Sequence, residues 1–247
     1  MFEVPAWSMI NNPYYERIEG RDTLLITVGD SWTYGDSLGR TKVRNGVDDT
    51  NYRLTHVYGA LMSAQLDSDW INLALPGGSN TMMLDWLSKL LPTIKHHNVI
   101  CTITLTESGR HEDVRGLHSH ATQQAALVTM VNNAYNTIEQ LKITYPHMVF
   151  VVSHNFTDSA PNKLTCKHNW LEIMLDQTIQ NNTHLVVSDY IGYMNSPRRY
   201  PDVLDIIDRA EKRITLMDNC THCNKEDTRH PTEQGHELWS QYLMAQL

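Results

Sequence analysis

The chain has 247 residues, of which 41% are apolar and 19% are charged, as is ordinary for a globular protein. This length suits one large α/β domain and is enough to bury a core without disulfide staples. With 28 acidic and 20 basic residues the formal net charge is -8. This balance argues against a non-specific nucleic-acid binder, because such a protein neutralises phosphates with Lys and Arg.

Signals for membrane insertion and export are missing from the sequence. The longest apolar stretch, Val99–Leu105, is far short of a membrane span. Met1–Pro5 lacks a basic region followed by an apolar run, so we expect no signal peptide and a cytoplasmic protein. We expect a single domain over residues 1–247, in which residues 1–22 form an N-terminal extension.

Short apolar runs alternate with helical patterns along the chain. The runs predict buried strands at Thr23–Val28, Trp70–Ala74, Asn98–Leu105, Met148–Val152 and His184–Val187. The helical patterns cover Asn51–Ala64, residues 79 to about 95 with Ser79 or Asn80 as cap, Ala121–Ile143, Asn162–Ile179, Val203–Ile214 and Thr232–Leu247. This order predicts an α/β fold, a three-layer α/β/α sandwich around a central parallel sheet of about five strands. Active sites of such sheets lie at the carboxyl ends of the strands.

The first predicted strand ends in Gly29-Asp30-Ser31-Trp32. A serine directly after a buried parallel strand lies at the edge of the sheet where catalysis is expected, although its hydroxyl needs an adjacent base to act as a nucleophile. The alternative is an ordinary turn, since these residue types favour turns. The tripeptide recurs at Gly35-Asp36-Ser37, which we assign to a loop because no strand precedes it.

The second predicted strand leads into the run Asn72–Asn80, which contains Gly77. A glycine there allows a backbone N–H to approach a substrate oxygen, as in an oxyanion hole. The alternative is a simple strand-to-helix turn closed by an Asn or Ser cap. Both interpretations remain open at this point.

A third pattern, Asp227-Thr228-Arg229-His230-Pro231, precedes the last predicted helix, which contains Gly235-His236. An Asp three residues before a His can reach its imidazole, hold its tautomer and stabilise the imidazolium. The alternative is that His230 only caps or packs against the last helix.

Taken in order, these patterns resemble the sequence blocks of the SGNH, or GDSL, hydrolases. Gly29-Asp30-Ser31 is similar to the nucleophile block, Asn72–Gly77 to the second block, and Asp227–Pro231 to the last. The resemblance implies a flavodoxin-like fold and a serine esterase with Ser31, His230 and Asp227 as its triad. It also implies Gly77 as an oxyanion-hole donor and a mechanism that requires no cofactor.

One block departs from the family. The third strand is usually followed by Gly-x-Asn-Asp, whose Asn donates to the oxyanion, but here Leu105 is followed by Thr106-Glu107-Ser108-Gly109-Arg110. Ser108 is the nearest replacement by position, and Arg110, which is also a candidate for substrate binding, could donate more strongly. Alternatively these residues form a turn in which Arg110 pairs with Glu112 or Asp113.

Two further residues are candidates for substrate binding. Trp32 follows the nucleophile and could wall a pocket for an acyl chain or a sugar, and Asn155 stands at the end of the fourth strand. Ordinary loop structure is the alternative for Asn155.

The cysteines suggest a metal site that catalysis would not need. Cys220 and Cys223 are spaced as Cys-x-x-Cys, and Cys166 and His168 supply the same ligand types, so these four residues are candidates for structural zinc. Free thiols or a redox-labile disulfide are the alternative.

The function expected from the sequence is hydrolysis of a carboxylic ester, with an O-acetylated carbohydrate ahead of a lipid, through an acyl-enzyme on Ser31. The partner is then a small-molecule or carbohydrate ester, with no nucleic acid and no membrane span. The alternative is a non-catalytic or weakly active binding module that keeps the fold but has an incomplete oxyanion hole.

Overall fold

The structure, a computed structural model, describes residues 14–35, 38, 50–106, 120–155, 217–218, 230–231 and 233–247. Its strands are β1 (Tyr14–Arg17), β2 (Thr23–Gly29), β3 (Asp69–Ala74), β4 (Asn98–Leu105), β5 (Val149–His154), β6 (Met217–Asp218) and β7 (His230–Pro231). Its helices are α1 (Ser31–Tyr34), α2 (Thr50–His56), α3 (Tyr58–Leu66), α4 (Asn80–Leu90), α5 (His120–Thr144) and α6 (Glu233–Met244).

Five of the described strands form one sheet in the order β1-β3-β2-β4-β5. Strands β3, β2, β4 and β5 are parallel neighbours, which confirms the predicted parallel core. If the four parallel strands are numbered 1 to 4 in chain order, their order across the sheet is 2-1-3-4, as in a doubly wound sheet, and the direction of winding reverses beside β2. The carboxyl ends of β2 and β4 therefore flank the position where such folds bind ligands. The predicted strand His184–Val187 lies outside the described residues.

The sheet also contains a strand that the sequence did not predict. β1 pairs antiparallel with β3, so the sheet is not wholly parallel and part of segment 1–22 belongs to it. Two side chains of β1 contact the Trp70 ring. The Tyr15 ring centroid lies 5.2 Å from the Trp70 centroid, and the guanidinium carbon of Arg17 lies 5.9 Å from it. Because β1 is a short edge strand with partly exposed side chains, its residues do not form an apolar run.

Helices cover both faces of the sheet. One face packs against α4 and α5 in the main apolar cluster, in which Leu24, Ile26 and Val28 of β2 meet Leu87 and Ile138. Side chains alternate along a strand, so Thr27 and its neighbours face the other side. There Gly59 of α3 lies so close that a Cβ would come within 2.7 Å of Trp70 Nε1. The described residues thus form the expected three layers.

Two helices differ from their predicted bounds for physical reasons. The segment predicted as one helix over Asn51–Ala64 is broken at Val57, which is extended and has no side-chain cap. His236 of α6 supplies the missing acceptor, because the Tyr58 N–H donates to its Nδ1 at 3.3 Å. The other helix, α4, begins at its predicted cap Ser79 but ends at Leu90, where a 3-10 turn containing Pro92 follows.

The amino ends of the strands are held by the buried carboxylate of Asp69. It accepts hydrogen bonds from the backbone N–H groups of Glu19 and Gly20, at 2.7 and 3.3 Å, and contacts His96 Nε2 at 2.9 Å. Burial alone would raise the pKa of Asp69, but the hydrogen bonds outweigh it and hold the pKa below the ordinary value. The ionised form therefore stabilises the fold.

We expect Asp69→Asn to lower the free energy of unfolding by about 2 kcal/mol at pH 7. The NH2 group of the introduced amide would face the N–H groups of Glu19 or Gly20, which need an acceptor. Asp69 has a lowered folded-state pKa, so its contribution is complete above the unfolded pKa of about 4 and is lost as the pH falls through the folded value. Urea unfolding from pH 7 to pH 3 should show the difference between wild type and variant shrinking. Asp85→Asn, at an exposed pair with Lys89, is the control. A difference that stays constant with pH would contradict this.

Candidate active site

Ser31 is the first residue of α1, and only Asp30 separates it from the carboxyl end of β2. Asp30 caps the helix, because its Oδ1 accepts from the Trp32 N–H at 2.9 Å. Gly35 ends the helix in the left-handed region at φ 77°, and its N–H donates to Trp32 O. A side chain on Gly29 would overlap Thr33. The glycines and the cap thus fix a strand–turn–helix that holds Ser31, which is 6% exposed.

The Asp30 carboxylate joins the ends of several strands. Its Oδ1 also accepts from Asn155 Nδ2 at 2.8 Å, and its Oδ2 accepts from Thr106 Oγ1 at 2.8 Å. Thr106 directly follows β4 and Asn155 directly follows β5, while Asp30 is wholly buried. A buried carboxylate needs such donors to offset its lost hydration, so the turn that carries Ser31 depends on residues far away in sequence.

Backbone and amide contacts complete this arrangement. Asn80 at the start of α4 makes paired hydrogen bonds with Thr106, accepting from its N–H at 2.9 Å and donating to its carbonyl at 3.0 Å. The Leu75 N–H donates to Gly29 O at 2.8 Å, and the Asn155 N–H donates to Leu105 O at 3.0 Å. The chain segments that follow β2, β3, β4 and β5 are therefore tied together at one edge of the sheet.

Gly77 lies in a tight turn after β3. The Gly78 N–H donates to Leu75 O at 2.8 Å, Pro76 is the second residue, and Gly77 has φ 72°. This is the pattern of a type II turn, in which the third position requires a left-handed conformation and favours glycine. Turn geometry thus accounts for the glycine, while its role as an oxyanion donor stays a prediction. Gly77 is exposed at this edge of the sheet.

The backbone of the His230 segment lies close to α1. β7 pairs with β6 through Asp218 and His230, and α6 begins two residues after β7 at Glu233. Between α1 and β7, Cα atoms approach within 8 Å, although about 200 residues separate the two elements in sequence. The fold therefore brings the Ser31 and His230 segments together. Asp227 lies outside the described residues.

His236 has a structural role that the sequence did not indicate. It is wholly buried, its Nδ1 accepts the Tyr58 N–H, and its ring stacks on Tyr58 at a centroid distance of 6.2 Å. The Tyr58 hydroxyl lies 3.4 Å from Thr33 Oγ1 of α1 and 3.4 Å from Thr104 Oγ1 of β4. Burial raises the pKa of Tyr58, which keeps this hydroxyl protonated. His236 therefore docks α6 against α3, whose Tyr58 hydroxyl lies 3.4 Å from Thr33 Oγ1 of α1.

The two residues predicted to line a pocket are buried in the structure. Trp32 is 3% exposed, and Asn155 is wholly buried with its amide group donating to Asp30. Asn155 Nδ2 thus supports the turn that carries Ser31, while a role of Asn155 in substrate binding stays a prediction. The signal that could have suggested this was Asp30 itself, because an Asp at an N-cap is a strong acceptor and attracts donors.

Several candidate residues fall outside the described part of the chain. They are Ser37, Ser108, Arg110, Asp227 and the zinc candidates Cys166, His168, Cys220 and Cys223. Within the described ranges, no group of His, Cys, Asp or Glu could hold a metal ion, and no helix could cross a membrane. Cys101, at the centre of β4, is a buried free thiol whose pKa is raised by burial, as expected for an apolar filler.

Comparisons with known proteins give structural neighbours only. No protein-family model and no curated protein matches the chain. A protein described as lipolytic and of the G-D-S-L family, from Desulfitobacterium hafniense, is 14% identical with a TM-score of 0.40, over 91% of this chain and 99% of its own. An acetyl xylan esterase from Geobacillus stearothermophilus is 15% identical with a TM-score of 0.40, over 90% and 93%.

A family two carbohydrate esterase from Clostridium thermocellum, solved with cellohexaose, is 12% identical with a TM-score of 0.44, over 91% of this chain and 63% of its own. These distant similarities leave the function to be argued from the chain's own residues. The structural neighbours of this chain include a lipolytic protein of the G-D-S-L family and carbohydrate esterases.

Proposed function

We propose that the chain is a serine esterase in which Ser31 is the nucleophile and His230 is its general base. The observation that carries this proposal is the approach of β7 to α1, which brings the segment of a base to the segment of a nucleophile. Ser31 also stands at the carboxyl end of the central parallel strand, where doubly wound folds bind their ligands. Asp227, three residues before His230, would orient the imidazole.

The proposed reaction has two steps. His230 takes the proton of Ser31 as its oxygen attacks the ester carbonyl, and the tetrahedral intermediate collapses when the alcohol leaves with that proton. Water, deprotonated by His230, then attacks the acyl-enzyme and releases the acid and free Ser31. The Ser31 and Gly77 N–H groups, with Ser108, would donate to the oxyanion.

An O-acetylated carbohydrate is the substrate class that we propose first. The resemblance in the sequence covers such esters, and the sequence has no long apolar segment that could serve as a lid over a lipid chain. A second candidate function is a binding module of the same fold without turnover. It is favoured by the departure after β4, where Ser108 stands near the position of the family's Asn.

We expect Ser31→Ala to lower kcat on p-nitrophenyl acetate by at least about 10³-fold, because the covalent step is lost. A fluorophosphonate probe should label wild type and Ser37→Ala but not Ser31→Ala. Labelling that survives Ser31→Ala and disappears in Ser37→Ala would reverse the assignment. Wild type that binds acetylated xylo-oligosaccharides but neither reacts with the probe nor releases acetate would favour the binding module.

A second prediction concerns Asp30, whose carboxylate supports the nucleophile turn. We expect Asp30→Asn to cost about 3 kcal/mol of stability and to lower kcat, because an amide group would meet the donors of Thr106 or Asn155. Thr106→Val should be less harmful in an Asp30→Asn background than in wild type, by about 1 kcal/mol in a double-mutant cycle. Thr137→Val on α5 is the matched control, because the Thr137 hydroxyl donates to Asn133 O of its own helix, and its cost should be the same in both backgrounds. Simple additivity would show that the contact carries no coupling.

A third prediction concerns the oxyanion donor that replaces the family's Asn. If Ser108 or Arg110 has this role, its replacement by Ala should lower kcat about 10²-fold with KM nearly unchanged, because the contact forms mainly in the transition state. A structure of a phosphonate adduct on Ser31 would show which side chain approaches the oxyanion. Full activity in both Ala variants would mean that the hole is formed without them.

A further inference from the structure

Two adjacent residues of α2 contact the two segments of the proposed active site. Arg53 contacts the end of α1, and Tyr52 contacts the start of α6. Helix α1 carries Ser31, and α6 begins two residues after the strand that contains His230. One short helix therefore connects the nucleophile segment with the base segment, independently of the sheet.

The contact with α1 is made by a buried guanidinium. Arg53 is 4% exposed, its Nη1 donates to Tyr34 O at 3.0 Å, and its guanidinium carbon lies 3.8 Å from the centre of the Tyr34 ring. A cation at the last carbonyl of a helix and over an aromatic face is held by both contacts. Gly35 makes room for it, since a Cβ there would come within 3.2 Å of Arg53 Cγ.

The contact with α6 is made by a phenol that its own helix holds in place. The Tyr52 ring stacks on His56 at a centroid distance of 3.9 Å, and His56 Nδ1 lies 2.8 Å from Tyr52 O. The Tyr52 hydroxyl donates to Glu233 Oε1, at the first residue of α6. Because the stacked ring restricts the side chain, this hydrogen bond can fix the position of Glu233.

The Tyr52 contact is distinct from the one that docks α6 as a whole. His236 and Tyr58 join α6 to α3 one turn further along, with both groups wholly buried. Tyr52 is only partly buried and reaches the end of α6 that adjoins β7. Loss of its hydroxyl should therefore leave α6 docked and release only the segment that leads back to His230.

We propose that α2 is a brace that sets the separation of Ser31 and His230, with Arg53 holding α1 and the Tyr52–Glu233 pair holding the end of α6 beside β7. This inference rests on the proposed function. It makes Tyr52 and Glu233 positioning residues, which act on catalysis through His230 without touching the substrate. Small displacements between reacting groups lower the rate strongly, so the brace should affect turnover more than binding.

The test compares Tyr52→Phe, Glu233→Ala and Glu233→Gln with wild type. We expect Tyr52→Phe and Glu233→Ala to lower kcat, and the rate of phosphonylation of Ser31 by a fluorophosphonate, about tenfold with KM unchanged. Glu233→Gln keeps an oxygen that can accept from Tyr52, so it should retain most of the wild-type rate. Tyr145→Phe, at the far end of α5, removes a phenol hydroxyl away from the site and should match wild type.

The outcomes separate the brace from the proposed function. If wild type itself is not phosphonylated at Ser31, the esterase proposal fails and the brace fails with it. If wild type reacts and Tyr52→Phe reacts equally fast, the brace is wrong while the esterase stands. A merely structural role would lower Tm and raise KM in Tyr52→Phe, and Glu233→Gln would then react as slowly as Glu233→Ala; that result would also overturn the inference.

Discussion

The buried carboxylate of Asp30 is the group on which the candidate site depends. It caps α1 through the Trp32 N–H and accepts from Thr106 and Asn155, so the turn that carries Ser31 is bonded to the ends of β4 and β5. A carboxylate without water is costly, and its donors come from chain segments that meet only in the folded sheet. The position of Ser31 is therefore coupled to the pairing of β2, β4 and β5.

That register explains why these donors reach Asp30. Val28 pairs with Ile103, and Leu105 pairs with His154, so β4 and β5 end in step, one residue beyond the end of β2, and Thr106 and Asn155 come within hydrogen-bond distance of Asp30. A shift of one residue in β4 would turn Thr106 to the other face of the sheet. A neighbouring residue would then face Asp30 in place of Thr106, and the apolar pattern of β4 restricts which residue that can be. Sheet pairing and the support of the turn that carries Ser31 are thus one constraint.

The sequence predicts the parts of this fold that its apolar pattern determines, and those are the parallel core strands and the long helix α5. It does not predict β1, because an edge strand with half-exposed side chains lacks an apolar run, or the break at Val57, because the acceptor that starts α3 comes from His236. For the site, the position of Ser31 after a buried strand follows from the sequence. The role of Asn155 does not, since only the tertiary structure brings it to Asp30.

Helix α1 shows how strongly the surrounding fold determines the position of Ser31. With four residues it is far too short to be stable alone, because helix nucleation is unfavourable and few internal hydrogen bonds reward it. The backbone groups at its ends are satisfied by side chains: Asp30 accepts from the Trp32 N–H, Arg53 donates to the Tyr34 carbonyl, and Asn72 Nδ2 donates to Thr33 O at 3.4 Å. Arg53 lies on α2 and Asn72 on β3, while Asp30 is itself held by residues that follow β4 and β5. A serine held in this way owes its orientation to the surrounding fold, which is the arrangement that pre-organised catalysis requires.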